Sequence, residues 1–97
     1  MHRYEWDENK RRLTLEKHKI DFIDAAEVFA SVYLKIAGRS ESELRFIAVG
    51  EINGIHIAVV FTEREDVIRI ITARRARLNE REAYIEHVAG RSEETSQ

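Results

Sequence analysis

Ninety-seven residues are enough for one domain with a modest core. The absence of cysteine excludes a disulfide framework, thiolate metal ligands and a thiol nucleophile, and it points to a cytoplasmic setting. A net charge of −2 gives no overall basic character, yet the charge is uneven: residues 1–19 hold six bases against four acids, 20–66 four against nine, 67–79 four against none, and 80–97 two against five.

The chain opens on a short extended segment without the apolar stretch of a signal peptide, and no apolar run approaches the ~18 residues of a membrane helix. Asp7 N-caps a helix running to about His18, whose last turn places Lys17, His18 and Lys19 where the helix dipole favours cations. Asp21 starts a second helix, with Asp24 three residues on and Phe22, Ala25, Ala26 and Phe29 at helical spacing. Strands are expected over Val32–Ala37, Leu44–Ile52, Ile55–Arg64 and Val67–Arg75. Asn53-Gly54 suits a type I′ hairpin turn, and Glu65-Asp66 marks a second tight turn. Asn79 caps a last helix with Glu82 at the capping-box position, Leu78 as staple, and Ala83, Tyr84, Ile85 and Val88 as its stripe. Gly90 is placed to end it, leaving a single domain over 1–90 and a disordered polar tail over 91–97. The fold class is α+β: two N-terminal helices, an antiparallel β-meander sheet and a C-terminal helix.

Two-residue hairpin loops fix the register and therefore the faces. One face carries Phe46, Ala48, Gly50, Ile57, Val59, Phe61, Ile68, Ile70, Thr72 and Arg74, and packs on the helices. The other carries Ile47, Val49, Val60 and Ile71 in its middle and charges at its ends. There Arg45, Thr62 and Arg69 align across three strands beside Arg64, and Glu51, His56 and Arg75 align at the far end. Arginines placed side by side repel, so such a row anticipates an anion; the plainer reading is an ion-paired solvated face. The apolar middle anticipates a cover, whether a partner helix or a second copy of the chain in a homodimer. The four histidines are too dispersed to suggest a metal site, and no phosphate-binding or dinucleotide motif implies a cofactor.

Trp6-Asp7 with Lys10, Lys17-His18, Phe22, Ala25-Ala26, Val28-Phe29, Arg45, Gly50, Thr62-Glu63-Arg64, Ile68 to Ile71, Ala73 to Ala76, Glu82 and Tyr84 together resemble the BrnT family of toxins. The resemblance spans Tyr4 to about His87. It departs at Thr14, where asparagine is usual, at Lys19, where glycine commonly follows the histidine, and at Phe61, where tyrosine is usual. It implies a RelE-like fold and a cytoplasmic endoribonuclease that slows growth by cutting RNA. It further implies neutralisation by a cognate antitoxin with a ribbon-helix-helix DNA-binding part.

Metal-independent RNA cleavage needs a base for the 2′-hydroxyl, an acid for the 5′-oxygen, and cations for the transition state. The candidate roles are Arg45, Arg64 and Arg69 around the phosphorane, His18 or Glu63 as base or acid, and Lys10, Lys17, Arg75 and Arg77 on the RNA backbone. Strand alternation sets Glu63 opposite Arg64, where it could instead anchor the first helix. The rival reading is a non-catalytic protein-binding module whose basic sheet face docks an acidic partner.

Overall fold

The computed structural model describes residues 3–38 and 44–95. In chain order the elements are β1 (Arg3–Glu5), α1 (Glu8–His18), α2 (Phe22–Ala25), a 3₁₀ helix (Ala26–Ala30), β2 (Leu34–Ala37), β3 (Phe46–Ile52), β4 (Ile55–Arg64), β5 (Val67–Arg75) and α3 (Leu78–Thr95). Strands β2 to β5 form the expected antiparallel meander. The extended start contributes more than sequence suggests, because β1 adds to β5 in parallel and completes a five-stranded mixed sheet in the order β1-β5-β4-β3-β2.

Local chemistry sets the helix ends. The Asp7 carboxylate accepts from the Asn9 and Lys10 amides at 2.8 and 3.2 Å, starting α1. Lys19 ends it in the left-handed region, at φ 61°, and its amide donates to the Leu15 carbonyl at 3.0 Å. Only Thr14 of α1 is buried, so this polar helix is held largely from its flanks. Trp6 meets Phe22 edge-on, and Arg11 makes a bidentate pair with Asp21 at 2.8 and 3.0 Å. That guanidinium and the Ile23 amide hold the Asp21 carboxyl below its ordinary range, which keeps the α2 cap charged.

Both hairpin turns have the two-residue form, with positive φ at Asn53, Gly54 and Glu65. They set Ile52 opposite Ile55 and Arg64 opposite Val67, as expected. Between them lies an irregularity absent from the regular register: Phe61 pairs with Ile70, but Val60 pairs with Thr72. Ile71 is thus an extra residue, a β-bulge, and every β5 position beyond it changes face. Ala73, which unbroken alternation between Thr72 and Arg74 would turn away from the helices, enters the core opposite Val59, with no exposed surface. Arg74 leaves the apolar face for the opposite side, and Arg75, now opposite Ile57, joins the helix-side face.

On that helix side, Phe22, Ala25 and Val28 pack on Ala48, Ile57, Val59, Phe61, Ile68, Ile70 and Ala73. The approach is closest at Gly50, where a Cβ would lie 2.9 Å from Val28 Cγ1, so β3 carries glycine where the 3₁₀ helix crosses it. The far face is partly covered from within the chain: α3 packs on β2 and β3, and Val49 and Ala58 have no exposed surface. Ile47, Val60 and Ile71 are half-buried, so the apolar middle of that face is smaller than the sequence implied.

The final helix departs from expectation at both ends. It begins at Leu78, not after an Asn79 cap, because Glu80 reaches back to the Arg77 amide at 2.8 Å and forms the capping contact expected of Glu82. It also runs through Gly90 to Thr95, past the expected stop and into the segment expected to be a disordered tail. A helical glycine costs only about 1 kcal/mol relative to alanine, and no proline follows to stop the helix.

Candidate functional site

The bulge determines which charges meet. Arg74 forks onto Glu80 with nitrogen–oxygen distances of 2.7 and 2.9 Å. Arg74 is thereby tied to α3 on the face opposite the one that regular alternation assigns it. The guanidinium is the main cause holding the Glu80 carboxyl below its ordinary value. Glu51 and His56 stay cross-strand neighbours, with Nε2 3.6 Å from Oε2. Their expected third member, Arg75, has moved to the other face, and the imidazole instead meets the Tyr84 ring at 5.5 Å. Trp6 and Tyr84 are both engaged in packing contacts.

The relocated Arg75 lines a cleft of about 280 Å³ together with His18, Lys19, Asp24, Glu27, Ala25 and Ile57. His18 is half-buried at the α1 terminus and also lines a second cleft of about 480 Å³ with Lys10, Lys17 and Thr72. Thr14, the buried residue of α1, lines this second cleft as well. Among the described residues, the side chains of Lys10, Lys17, His18 and Arg75 make no hydrogen bond or ion pair. The structure therefore brings together His18, Lys10, Lys17 and Arg75, four of the sequence-selected residues, through clefts that share the imidazole.

The arginine row assembles elsewhere. Thr62 and Arg69 are paired across β4 and β5, and with Arg64 and Glu5 they line a cleft of about 660 Å³ at the β1 end of the sheet. Arg69 reaches Glu5 at 3.4 Å, an exposed contact of little energetic weight. Arg45 precedes β3, its carbonyl accepting from the Gly38 amide at 2.7 Å. Glu63 also lines this cleft but pairs with Lys35 of β2, so it anchors the sheet rather than the first helix. The same ammonium lies 4.2 Å from the Phe46 ring centroid. Arg77 is exposed on the link into α3. Because Arg69 and Arg75 are six residues apart on one strand, their backbones are separated by roughly 20 Å. Arg75 and the arginine row thus line separate clefts.

Two contributors were missed by sequence reasoning. The bulge at Ile71 had a faint signal, since Ile70-Ile71 and Arg74-Arg75 break strict alternation within one strand. Asp24 and Glu27 faced no recognised site until the fold brought α2 and the 3₁₀ helix against the β3–β4 turn. Among the described residues, no group of three or more His, Asp or Glu side chains is arranged to hold a metal ion, and no helix is long and apolar enough to cross a membrane.

The family model described as "Ribonuclease toxin, BrnT, of type II toxin-antitoxin system" matches residues 6–80. Among curated proteins nothing matches. A similar solved structure is the 1.1 Å crystal structure of the Brucella abortus ribonuclease toxin BrnT. It is 34% identical over 79% of this chain and 99% of that one, with a TM-score of 0.61. The α+β fold is thus shared, and the chain belongs to the BrnT family of ribonuclease toxins of type II toxin–antitoxin systems.

Proposed function

We propose that this chain is a metal-independent endoribonuclease whose chemistry lies where the α1 terminus meets the end of β5. The observation that carries this reading is the presence of His18 and Arg75 on one cleft, with Lys10 and Lys17 on the adjoining one, all four without partners among the described residues. An imidazole can take a proton near neutral pH, while arginine keeps its charge throughout.

In the proposed reaction, neutral His18 accepts the 2′-hydroxyl proton as the 2′-oxygen attacks the adjacent phosphorus. The phosphorus–5′-oxygen bond breaks, leaving a 2′,3′-cyclic phosphate, and solvent water in the open cleft protonates the departing oxygen. Arg75 stabilises the extra negative charge of the phosphorane, a role that typically lowers the barrier by about 3–4 kcal/mol. Lys10 and Lys17 hold neighbouring phosphates. Arg45, Arg64 and Arg69, originally candidates for the phosphorane, then grip the strand farther along, and Arg77 adds an exposed cation. Glu63 is left with its structural partner Lys35.

A ribbon-helix-helix antitoxin neutralises the activity in the cytoplasm, and a second copy of the chain is a further candidate for covering the sheet face. Purified protein should cut single-stranded RNA in excess EDTA and leave 2′,3′-cyclic phosphate ends. RNA carrying 2′-deoxyribose at the cut site should resist. Inhibition by EDTA, or cleavage of the 2′-deoxy substrate, would overturn the mechanism.

A further inference from the structure

The 280 Å³ cleft beside His18 carries more than a phosphate alone requires. Its lining sets His18, Lys19 and Arg75 in the same cleft as the exposed carboxylates Asp24 and Glu27 and the buried apolar residues Ala25 and Ile57. Ile52 and Ile55, on either side of the β3–β4 turn, extend this apolar surface. Asp21 also lines the cleft, but its carboxylate is committed to Arg11. Asp24 and Glu27 are different: among the described residues neither carboxylate has a hydrogen-bond or ion-pair partner, although Lys19 and Arg75 line the same cavity.

Carboxylates repel an RNA backbone, so in an RNA site they belong where a base presents donors. The apolar surface that Ile52 and Ile55 expose suits the flat face of an unstacked base, the form in which single-stranded RNA is usually read. A carboxylate only accepts hydrogen bonds. Guanine alone presents two adjacent donors, N1–H and the N2 amino group, on its Watson–Crick edge. Adenine and cytosine set one donor beside a ring-nitrogen lone pair, and uracil sets one N–H between two carbonyl oxygens. Those lone pairs would face the carboxylate.

We propose that this cavity is a guanine-reading pocket, in which Asp24 and Glu27 accept from the base edge while His18 and Arg75 engage the neighbouring phosphate. The proposal rests on the placement of the chemistry at His18 and Arg75. It makes the enzyme selective for guanosine beside the cut, through residues on α2 and the 3₁₀ helix rather than on the basic strand.

The test uses the full chain and two readouts. In the first, 2′-deoxy trinucleotides AGA, AAA, ACA and AUA are titrated while the methyl resonances of Ile52, Ile55 and Ile57 are followed. AGA should shift them at the lowest concentration, and D24N/E27Q should remove that advantage. In the second, RNA ends are mapped on a mixed-sequence substrate. Wild type should favour guanosine beside the cut by about ten- to a hundredfold, the discrimination expected of one bidentate base contact, and D24N/E27Q should collapse that ratio. Replacing guanosine by inosine, which lacks the N2 amino group, should reduce the preference as well. Equal methyl shifts for all four trinucleotides, or a guanosine preference that survives D24N/E27Q, would overturn the pocket. If H18Q cut as fast as wild type while D24N/E27Q lost the preference, the pocket would stand and the placement of the chemistry would fall. If H18Q were inactive but wild type showed no base preference, the reverse would hold.

Discussion

Replacing Glu80 with glutamine isolates the contact that ties the start of α3 to Arg74 of β5. Glu80 receives both ends of the Arg74 guanidinium, at 2.7 and 2.9 Å, and the Arg77 amide at 2.8 Å. Its side chain is 7% exposed and that of Arg74 20%. Gln is nearly isosteric, so no cavity opens, but its NH₂ faces the guanidinium and leaves a positive charge largely buried without its counterion. Breaking such a pair when fully buried costs about 3–5 kcal/mol; one-fifth exposure of the arginine reduces this to about 2–3 kcal/mol. For a domain of this size that lowers Tm by about 10–20 °C. Urea denaturation of wild type, E80Q, R74M and the double variant should give a coupling energy of at least about 1 kcal/mol. The sign of the pH dependence is also fixed. Because the folded carboxyl titrates below its ordinary 4.5, the stabilisation is fully present above that value and is lost as pH falls through the folded pKa. The gap between wild type and E80Q should therefore narrow in acid. A change within about 0.5 kcal/mol at neutral pH, the range of an ordinary surface substitution, would refute the reasoning.

The remaining predictions concern backbone geometry. Gly50→Ala puts a methyl 2.9 Å from Val28 Cγ1 and should destabilise by about 1–3 kcal/mol in urea denaturation. Adding Val28→Ala should relieve the clash non-additively, and simple additivity would count against the close approach. Lys19→Gly removes the side chain from a residue at φ 61° and should stabilise by about 0.5–1 kcal/mol, the left-handed strain less the added freedom of the unfolded chain. A lower midpoint would show that Lys19 contributes contacts outweighing its strain.

The elements were legible where local chemistry decides alone. Asp7 and Asp21 cap helices because their carboxylates meet free amides, and Asn53-Gly54 fixes a turn because both residues accept positive φ. The parallel addition of β1 was not legible, since three residues carry no periodicity and their pairing depends on where α1 returns the chain. Register beyond Ile71 failed for a different reason. Alternation assumes one residue per position, and the apolar run Ile70-Ile71 permits an insertion without exposing a polar group. That single residue exchanged the environments of Arg74 and Arg75. Alternation grouped Arg75 with Glu51 and His56, whereas the fold sets it on a cleft with His18.

The most direct test of the account is the initial rate at which purified wild type, R75Q and R69Q cut single-stranded RNA, with folding confirmed by matching denaturation midpoints. Chemistry at the His18–Arg75 cleft predicts a loss of about a hundredfold or more for R75Q, the effect of removing one transition-state donor, and a loss smaller than about tenfold for R69Q. Full activity in R75Q with an inactive R69Q would contradict it and return the reaction to the arginine row at the β1 end of the sheet.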